Sequence, residues 1–210
     1  LGMYRLFKGA FDGALPQLDG IIAVMVAITL IVANGMAAIQ TNVKRMMAYS
    51  GVSHAGFMLA SLLIRPSFDP TTIFYYVLSY GIASLISFVV LYQVGQSQGS
   101  EDLSHFKGLA KSHPFSAAIL SISLLSMAGI PPLAGFFGKY FVIQSLIQTY
   151  TWLTIVMILT SVVGMYYYLK VIMTMYSPSD KSIQIEESNR WFLSIATIAM
   201  VLMFFAVQWL

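Results

Sequence analysis

Six long apolar runs dominate this chain of 210 residues. Each run reaches or approaches the roughly 20 residues that an α-helix needs to cross about 30 Å of hydrocarbon. A transmembrane β-barrel would instead show short segments of alternating polarity, and the bilayer leaves no third way to satisfy backbone polar groups. We therefore predict an all-α fold, a polytopic transmembrane helix bundle of about six spans, near 21–39, 47–64, 73–94, 115–147, 152–176 and 191–210.

Composition narrows the classes of function. Charged residues make up only 9% of the chain, and the net charge of +3 comes from loop residues of both signs, so we expect no nucleic-acid partner. The chain has no cysteine, and its three histidines, His54, His105 and His113, lack the spacing of metal ligands. We therefore expect no metal and no redox cofactor in this chain.

Basic residues in the loops give an orientation. A connection rich in proline at 65–70 and two polar loops at 96–112 and 177–190 separate the spans. One side of the predicted membrane carries six basic residues: Lys44, Arg45, Lys107, Lys111, Lys181 and Arg190. The other side carries three: Arg5, Lys8 and Arg65. The side with six should be cytoplasmic, which places the C-terminus outside.

The stretch GIPPLAGFFGKY, Gly129 to Tyr140, interrupts the fourth apolar run. The 37 residues from Pro114 to Tyr150 would form an unbroken helix of roughly 55 Å, far longer than the hydrocarbon requires. Proline and glycine favour a break near 129–138, at these five positions: Gly129, Pro131, Pro132, Gly135 and Gly138. Freed backbone groups persist only inside protein or beside water, so we predict a hydrated interior at mid-membrane depth.

Lys139 follows this break directly. A lysine at the bilayer centre costs about 2.5–3.5 kcal/mol on insertion scales, so such residues usually face a polar interior and mark an ion or proton path. Unlike arginine, lysine can release its proton. Two other interpretations remain open: Lys139 extends to the membrane interface, or it simply begins a new helix.

His54 lies ten residues beyond Lys44, which places it about 15 Å along the helix axis and near mid-depth. Ser50, His54 and Ser61 are spaced so that they could share one polar face. That face suits a proton relay through bridging water, and it equally suits a packed histidine. Lys44 itself opens the helix and could serve only as an anchor at the membrane border.

Three stretches together resemble the antiporter-like membrane subunits of respiratory complex I, the NADH-quinone oxidoreductase. They are QTNVKRMMAYSGVSHAGFML (Gln40–Leu59), EDLSHFKGLAKSHP (Glu101–Pro114) and LSMAGIPPLAGFFGKY (Leu125–Tyr140). The resemblance implies a subunit of about fourteen helices with two inverted repeats, each containing one broken helix. By this resemblance, the chain is the C-terminal half of a longer subunit, namely the second repeat plus the final helix, as a single transmembrane domain at 1–210.

The resemblance also implies a function. Lys139 matches the ionisable residue of the family's second broken helix, Lys44 the lysine of its KR[ML]xAYS motif, and His54 the histidine that follows. These residues would form a proton path that couples quinone reduction elsewhere to proton movement. NADH, flavin, iron–sulfur clusters and quinone would lie in partner subunits, and the partners would be the other membrane subunits, the N-terminal half of the same subunit and the lipid of a bacterial inner membrane.

Two alternatives keep the same fold. One is a cation/proton antiporter or a membrane-hydrogenase subunit that acts independently of NADH. The other is a structural membrane spacer, which predicts that Lys139 contacts lipid headgroups rather than a buried, hydrated interior.

Overall fold

The computed structural model describes residues 15–64, 70–179, 183–186 and 190–206. Most of the proline-rich connection, at 65–69, lies outside the described residues, as do four of the basic residues counted above: Arg5, Lys8, Arg65 and Lys181. The described residues form helices joined by turns and loops, and their one isolated β-bridge joins Asn42 and Asp102. The all-α prediction is confirmed.

Eight α-helices follow one another along the described part of the chain. They are α1 (Leu15–Ala38), α2 (Val43–Ala60), α3 (Pro70–Gln98), the short α4 (Leu109–Ser112), α5 (Pro114–Ala128), α6 (Ala134–Leu146), α7 (Thr151–Tyr176) and α8 (Arg190–Ala206). Two turns of 3-10 helix accompany them, Ser61–Leu63 after α2 and Leu103–Phe106 before α4. The proline at the first position of α5 suits a helix start, where its missing N–H has no partner to lose.

Four helical segments are long and apolar enough to cross a bilayer alone: Leu18–Ala38, Val43–Leu63, Thr71–Gln98 and Thr151–Tyr176. Two further apolar helices, Pro114–Ala128 and Arg190–Phe205, are shorter. The fourth predicted span is the one that the structure divides, into α5 and α6. The prediction of a helical membrane bundle with one discontinuous helix is therefore confirmed.

Three loops meet at one end of the bundle. Val43 N–H donates to the Glu101 carbonyl at 2.9 Å, and Leu103 N–H donates to the Thr41 carbonyl at 2.8 Å. On the same side, Nε2 of His113 lies 3.0 Å from the Ile183 carbonyl, in the segment that precedes α8. This end, called the basic end below, carries Lys44 and the polar loop of residues 99–113.

The interior contains two main apolar clusters. One cluster extends to the basic end and includes Met46, Val94 and Leu109, and the other, at the opposite end, includes Leu63, Leu146 and Leu153. Helix α3 packs against both halves of the broken helix and against α8. The outer faces of α1 and α7 expose large apolar side chains such as Ile28 and Leu159, as expected for surfaces in contact with lipid. His54 and Lys139 lie buried inside the bundle.

Candidate functional site

The broken helix changes direction at residues 129–133. Gly129 has φ +84°, in the left-handed region where glycine carries no steric cost, and its N–H donates to the Ser126 carbonyl at 3.0 Å. Ile130 N–H donates to the Leu125 carbonyl at 3.1 Å, which completes a Schellman motif at the end of α5. The helix therefore ends with a defined cap, and α6 begins at Ala134 after the two prolines.

Two of the five residues predicted at the break belong to a helix instead. Gly135 and Gly138 are inside α6, so the break is shorter than the predicted 129–138. Their small size serves close packing instead. Gly135 N–H lies 3.2 Å from the Ser126 hydroxyl, and a methyl group at this position would collide with the Ser126 carbonyl. A methyl group on Gly138 would lie only 2.6 Å from Cδ2 of Tyr76. Both glycines thus let α6 approach its neighbours.

Lys139 points back into the break. Its Nζ donates to the Ala128 carbonyl at 3.2 Å, and the residue is only 8% exposed. An intact helix would pair that carbonyl with the N–H four residues later, but residue 132 is a proline and has none. Nζ also lies 5.5 Å from the ring centroid of Phe57, a cation–π distance. No carboxylate among the described residues pairs with this amine.

A cavity of ≈ 190 Å³ borders Lys139. Gly129 and Tyr140 line it on the side of the broken helix, and Ser161 lines it on α7. Most of the lining is apolar, with Phe136, Ile158 and Val162 on the wall, and Lys139 and Ser161 are the polar side chains that border it. The ammonium group therefore borders a largely apolar cavity in addition to the carbonyl that it contacts.

His54 lies between two tyrosine hydroxyls. Its Nδ1 is 3.0 Å from the Tyr76 hydroxyl, its Nε2 is 3.4 Å from the Tyr168 hydroxyl, and the ring of Tyr80 stacks on the imidazole at 4.3 Å. The imidazole is buried, and the Tyr76 ring packs edge-on against Phe57, which in turn faces the Lys139 amine. The structure thus brings these two predicted residues into one buried cluster.

The hydrogen bonds continue away from His54. The Tyr168 hydroxyl also pairs with the Ser50 hydroxyl. The neighbouring Tyr167 donates to Oδ1 of Asn34 at 3.1 Å, and Nδ2 of Asn34 donates to the Ser53 hydroxyl at 2.7 Å. Ser50 therefore joins the polar face predicted from the sequence. Ser61 does not join it, because Ser61 lies in the 3-10 turn after α2 and its hydroxyl donates to the Met58 carbonyl of α2.

Lys44 lies apart from this cluster, at the basic end. Its Nζ lies 3.1 Å from Oε1 of Glu101, and its side chain is 64% exposed. Asn42, two residues earlier, caps α2 by accepting from the Arg45 N–H at 3.1 Å and donates to Asp102. These contacts fasten the polar loop to the start of α2.

The described residues contain no group of three or more His, Asp or Glu side chains that could hold a metal ion. His113 hydrogen-bonds to the backbone of residues 183–185, where Ile185 N–H donates to its Nε2 at 3.2 Å. His105 lies in the 3-10 turn before α4. The candidate site is therefore the buried cluster around Lys139 and His54.

A protein-family profile described as NADH:quinone oxidoreductase/Mrp antiporter, transmembrane, matches residues 1–164. The chain belongs to this family. It is 41% identical over 180 residues to NADH-quinone oxidoreductase subunit N of Cytophaga hutchinsonii, which covers 85% of the chain and 39% of that relative. It is 43% identical over 150 residues to the subunit N of Flavobacterium johnsoniae, which covers 71% and 32%. The chain thus spans about two fifths or less of these relatives.

Solved structures share the fold of this chain. A chain of respiratory complex I from Thermus thermophilus with bound aureothin matches with a TM-score of 0.78 and 27% identity, over 88% of this chain and 43% of that one. A chain of the Mrp complex from Dietzia matches with a TM-score of 0.86 and 17% identity, over 99% and 48%. The fold therefore occurs both in a chain of respiratory complex I and in a chain of the Mrp complex.

Sequence reasoning missed the partners of His54. Tyr76 of α3 and Tyr168 of α7 pair with His54, and Asn34 of α1 pairs with the adjacent Ser53, yet no local spacing links these residues to residue 54. Aromatic residues in a membrane helix look like packing or like an interfacial belt. One signal was available: an asparagine inside the first apolar run requires a polar partner in a membrane.

Proposed function

We propose that this chain is the proton-conducting C-terminal part of a membrane subunit of NADH-quinone oxidoreductase, subunit N, comprising the second inverted repeat and the final helix. The observation that carries the proposal is the buried Lys139 amine, which contacts a carbonyl freed by a helix break and borders a cavity of ≈ 190 Å³. The relatives that bear this name match the chain over most of its length.

Lys139 acts in this proposal as a switchable proton carrier. Because no described carboxylate fixes its charge, neighbouring charges and access to water decide whether it holds a proton. His54 acts as a relay, since its two nitrogens face hydroxyls of two different helices. Lys44 anchors the loop of Glu101 at the start of α2 and takes no direct part in proton movement.

The other parts of the proposal follow from the family. Quinone reduction, with NADH, flavin and iron–sulfur clusters, takes place in partner subunits, and its energy reaches Lys139 through charge changes at neighbouring ionisable groups. The chain lies in a bacterial inner membrane beside other membrane subunits of the complex. The basic end faces the cytoplasm, in keeping with the excess of basic loop residues.

Replacement of Lys139 by alanine in the assembled complex tests the proposal. We expect NADH-driven proton pumping to fall at least about tenfold, which corresponds to about 1.4 kcal/mol in the barrier. Electron transfer from NADH to an artificial acceptor should persist and would show that the complex has assembled. Lys170→Ala is the matched control, because Lys170 is a half-buried lysine of α7 outside the cluster. Full pumping in Lys139→Ala would contradict the proposal.

A cation/proton antiporter is the second candidate, favoured by the fold that the chain shares with the Mrp complex. The two functions differ in their energy source. An antiporter exchanges protons for sodium in membrane vesicles without NADH, whereas the proposed subunit requires electron transfer. A purely structural spacer fits less well, because it predicts Lys139 among lipid headgroups rather than buried beside a helix break.

A further inference from the structure

Tyr76 touches both halves of the candidate site. The residue is 1% exposed, its hydroxyl lies 3.0 Å from Nδ1 of His54, and its ring lies against Gly138, the residue before Lys139. The ring also packs edge-on against Phe57, with centroids 6.3 Å apart, and Phe57 in turn faces the Lys139 amine. One side chain therefore links the helix that carries the amine to the imidazole.

The contact with Gly138 leaves the ring little freedom. A Cβ atom at residue 138 would lie 2.6 Å from Cδ2 of Tyr76, 3.0 Å from Cγ and 3.2 Å from its Cβ. These atoms form the base of the side chain, so a small rotation of the ring cannot clear them. A buried ring in close-packed surroundings also has no open space to enter. The positions of α6 and of the Tyr76 ring are therefore coupled.

The hydroxyl of Tyr76 constrains the imidazole. A neutral histidine has one donor nitrogen and one acceptor nitrogen. If Tyr76 donates to Nδ1, then Nε2 carries the hydrogen and donates to Tyr168; if Tyr76 accepts, the assignment reverses. The contact at Nδ1 is the shorter of the two, 3.0 Å against 3.4 Å. Tyr76 is therefore the closer hydrogen-bond partner of His54.

We propose that Tyr76 is a positioning residue that couples the broken helix to His54. A displacement of α6, such as one that accompanies loss of the bond from Lys139 to the Ala128 carbonyl, moves the Tyr76 ring and changes the hydrogen bond at Nδ1. The proton arrangement on His54 then follows the position of the helix that carries Lys139. This inference rests on the proposed function and adds to it a residue that acts through His54.

Removal of the hydroxyl is the first test. In the assembled complex labelled with ¹⁵N-histidine, the ring resonances that disappear in His54→Gln report the tautomer of His54. Tyr76→Phe keeps the ring and removes the hydrogen bond, so we expect these resonances to shift and pumping to fall about fivefold. Tyr75→Phe is the matched control, because its hydroxyl donates instead to the Met203 carbonyl at 3.2 Å, outside the cluster. The control should leave both readouts unchanged.

Displacement of the ring is the second test. Gly138→Ala keeps every hydroxyl but forces the Tyr76 ring away from α6, so it should shift the same His54 resonances as Tyr76→Phe does. Gly81→Ala, on the same helix as Tyr76, is the control, because a Cβ atom there meets nothing within 4 Å. Shifts in both test variants and in neither control support the coupling.

The readouts separate this inference from the function on which it rests. Unchanged His54 resonances in Tyr76→Phe would overturn the positioning role, whatever happens to pumping. Full pumping in Tyr76→Phe, with pumping lost in Lys139→Ala, would overturn the coupling and leave the proposed function in place. Full pumping in Lys139→Ala with shifted resonances in Tyr76→Phe would instead contradict the proposed function and support the contact between Tyr76 and His54.

Discussion

Lys44 and Lys139 both contact an oxygen atom of the protein, yet their surroundings differ. Lys44 lies at the basic end, largely exposed, and pairs with the carboxylate of Glu101. Lys139 is buried beside the helix break, and its oxygen belongs to the Ala128 carbonyl. An exposed ion pair contributes about 0.2–1 kcal/mol, whereas a buried cation costs several kcal/mol unless well paired. The Lys44 amine therefore holds a loop in place. The Lys139 amine occupies a site where its charge costs free energy, as functional groups often do.

The two regions should differ most in their tolerance of added volume. A methyl group on Gly135 meets the Ser126 backbone, whereas one on Gly95 at the basic end meets the Glu101 side chain, with Cγ at 2.9 Å. Backbone cannot move aside as a side chain can, so Gly135→Ala should lower the free energy of unfolding by about 3 kcal/mol and Gly95→Ala by less than about 1 kcal/mol. Thermal unfolding of the purified complex measures both. Equal losses of stability in the two variants would contradict this difference between the regions.

The chemical difference between the regions should appear when charge is retained but release of the proton is blocked. Lys139→Arg keeps a cation beside the cavity, yet arginine stays protonated in proteins, so pumping should fall about tenfold. Lys44→Arg at the basic end preserves the pairing with Glu101 and should pump normally. Proton pumping by membrane vesicles supplied with NADH compares the two variants. Normal pumping in Lys139→Arg would mean that the site requires only a positive charge.

The smallest effect is expected at the ion pair itself. Lys44→Ala and Glu101→Ala should each change stability by at most about 1 kcal/mol, and the interaction energy from the double-mutant cycle should lie near 0.5 kcal/mol and decrease with salt. Thermal unfolding of the two single variants and the double variant at low and high salt provides the values. An interaction energy above about 2 kcal/mol would show that the basic end is more than an anchored loop.

Much of the architecture could be predicted because membranes impose strong rules on sequence. Long apolar runs predicted the helices. The two prolines predicted the break, since Pro132 cannot supply the N–H that the Ala128 carbonyl needs. The break occupies only the first part of the predicted range 129–138, because Gly135 and Gly138 serve contacts between helices, and local spacing does not distinguish those from unwinding. The partners of His54 were missed for a similar reason: Tyr76 and Tyr168 are distant in sequence and meet it only in the folded bundle.

The central claim is that the Lys139 amine changes its protonation state while the complex works. Infrared difference spectra of the assembled complex with isotope-labelled lysine, recorded at rest and during NADH oxidation, test this claim most directly, with Lys139→Gln as the reference. We expect an ammonium band that changes during turnover and is absent from the variant. Identical lysine bands at rest and during turnover, in a complex that pumps normally, would contradict it.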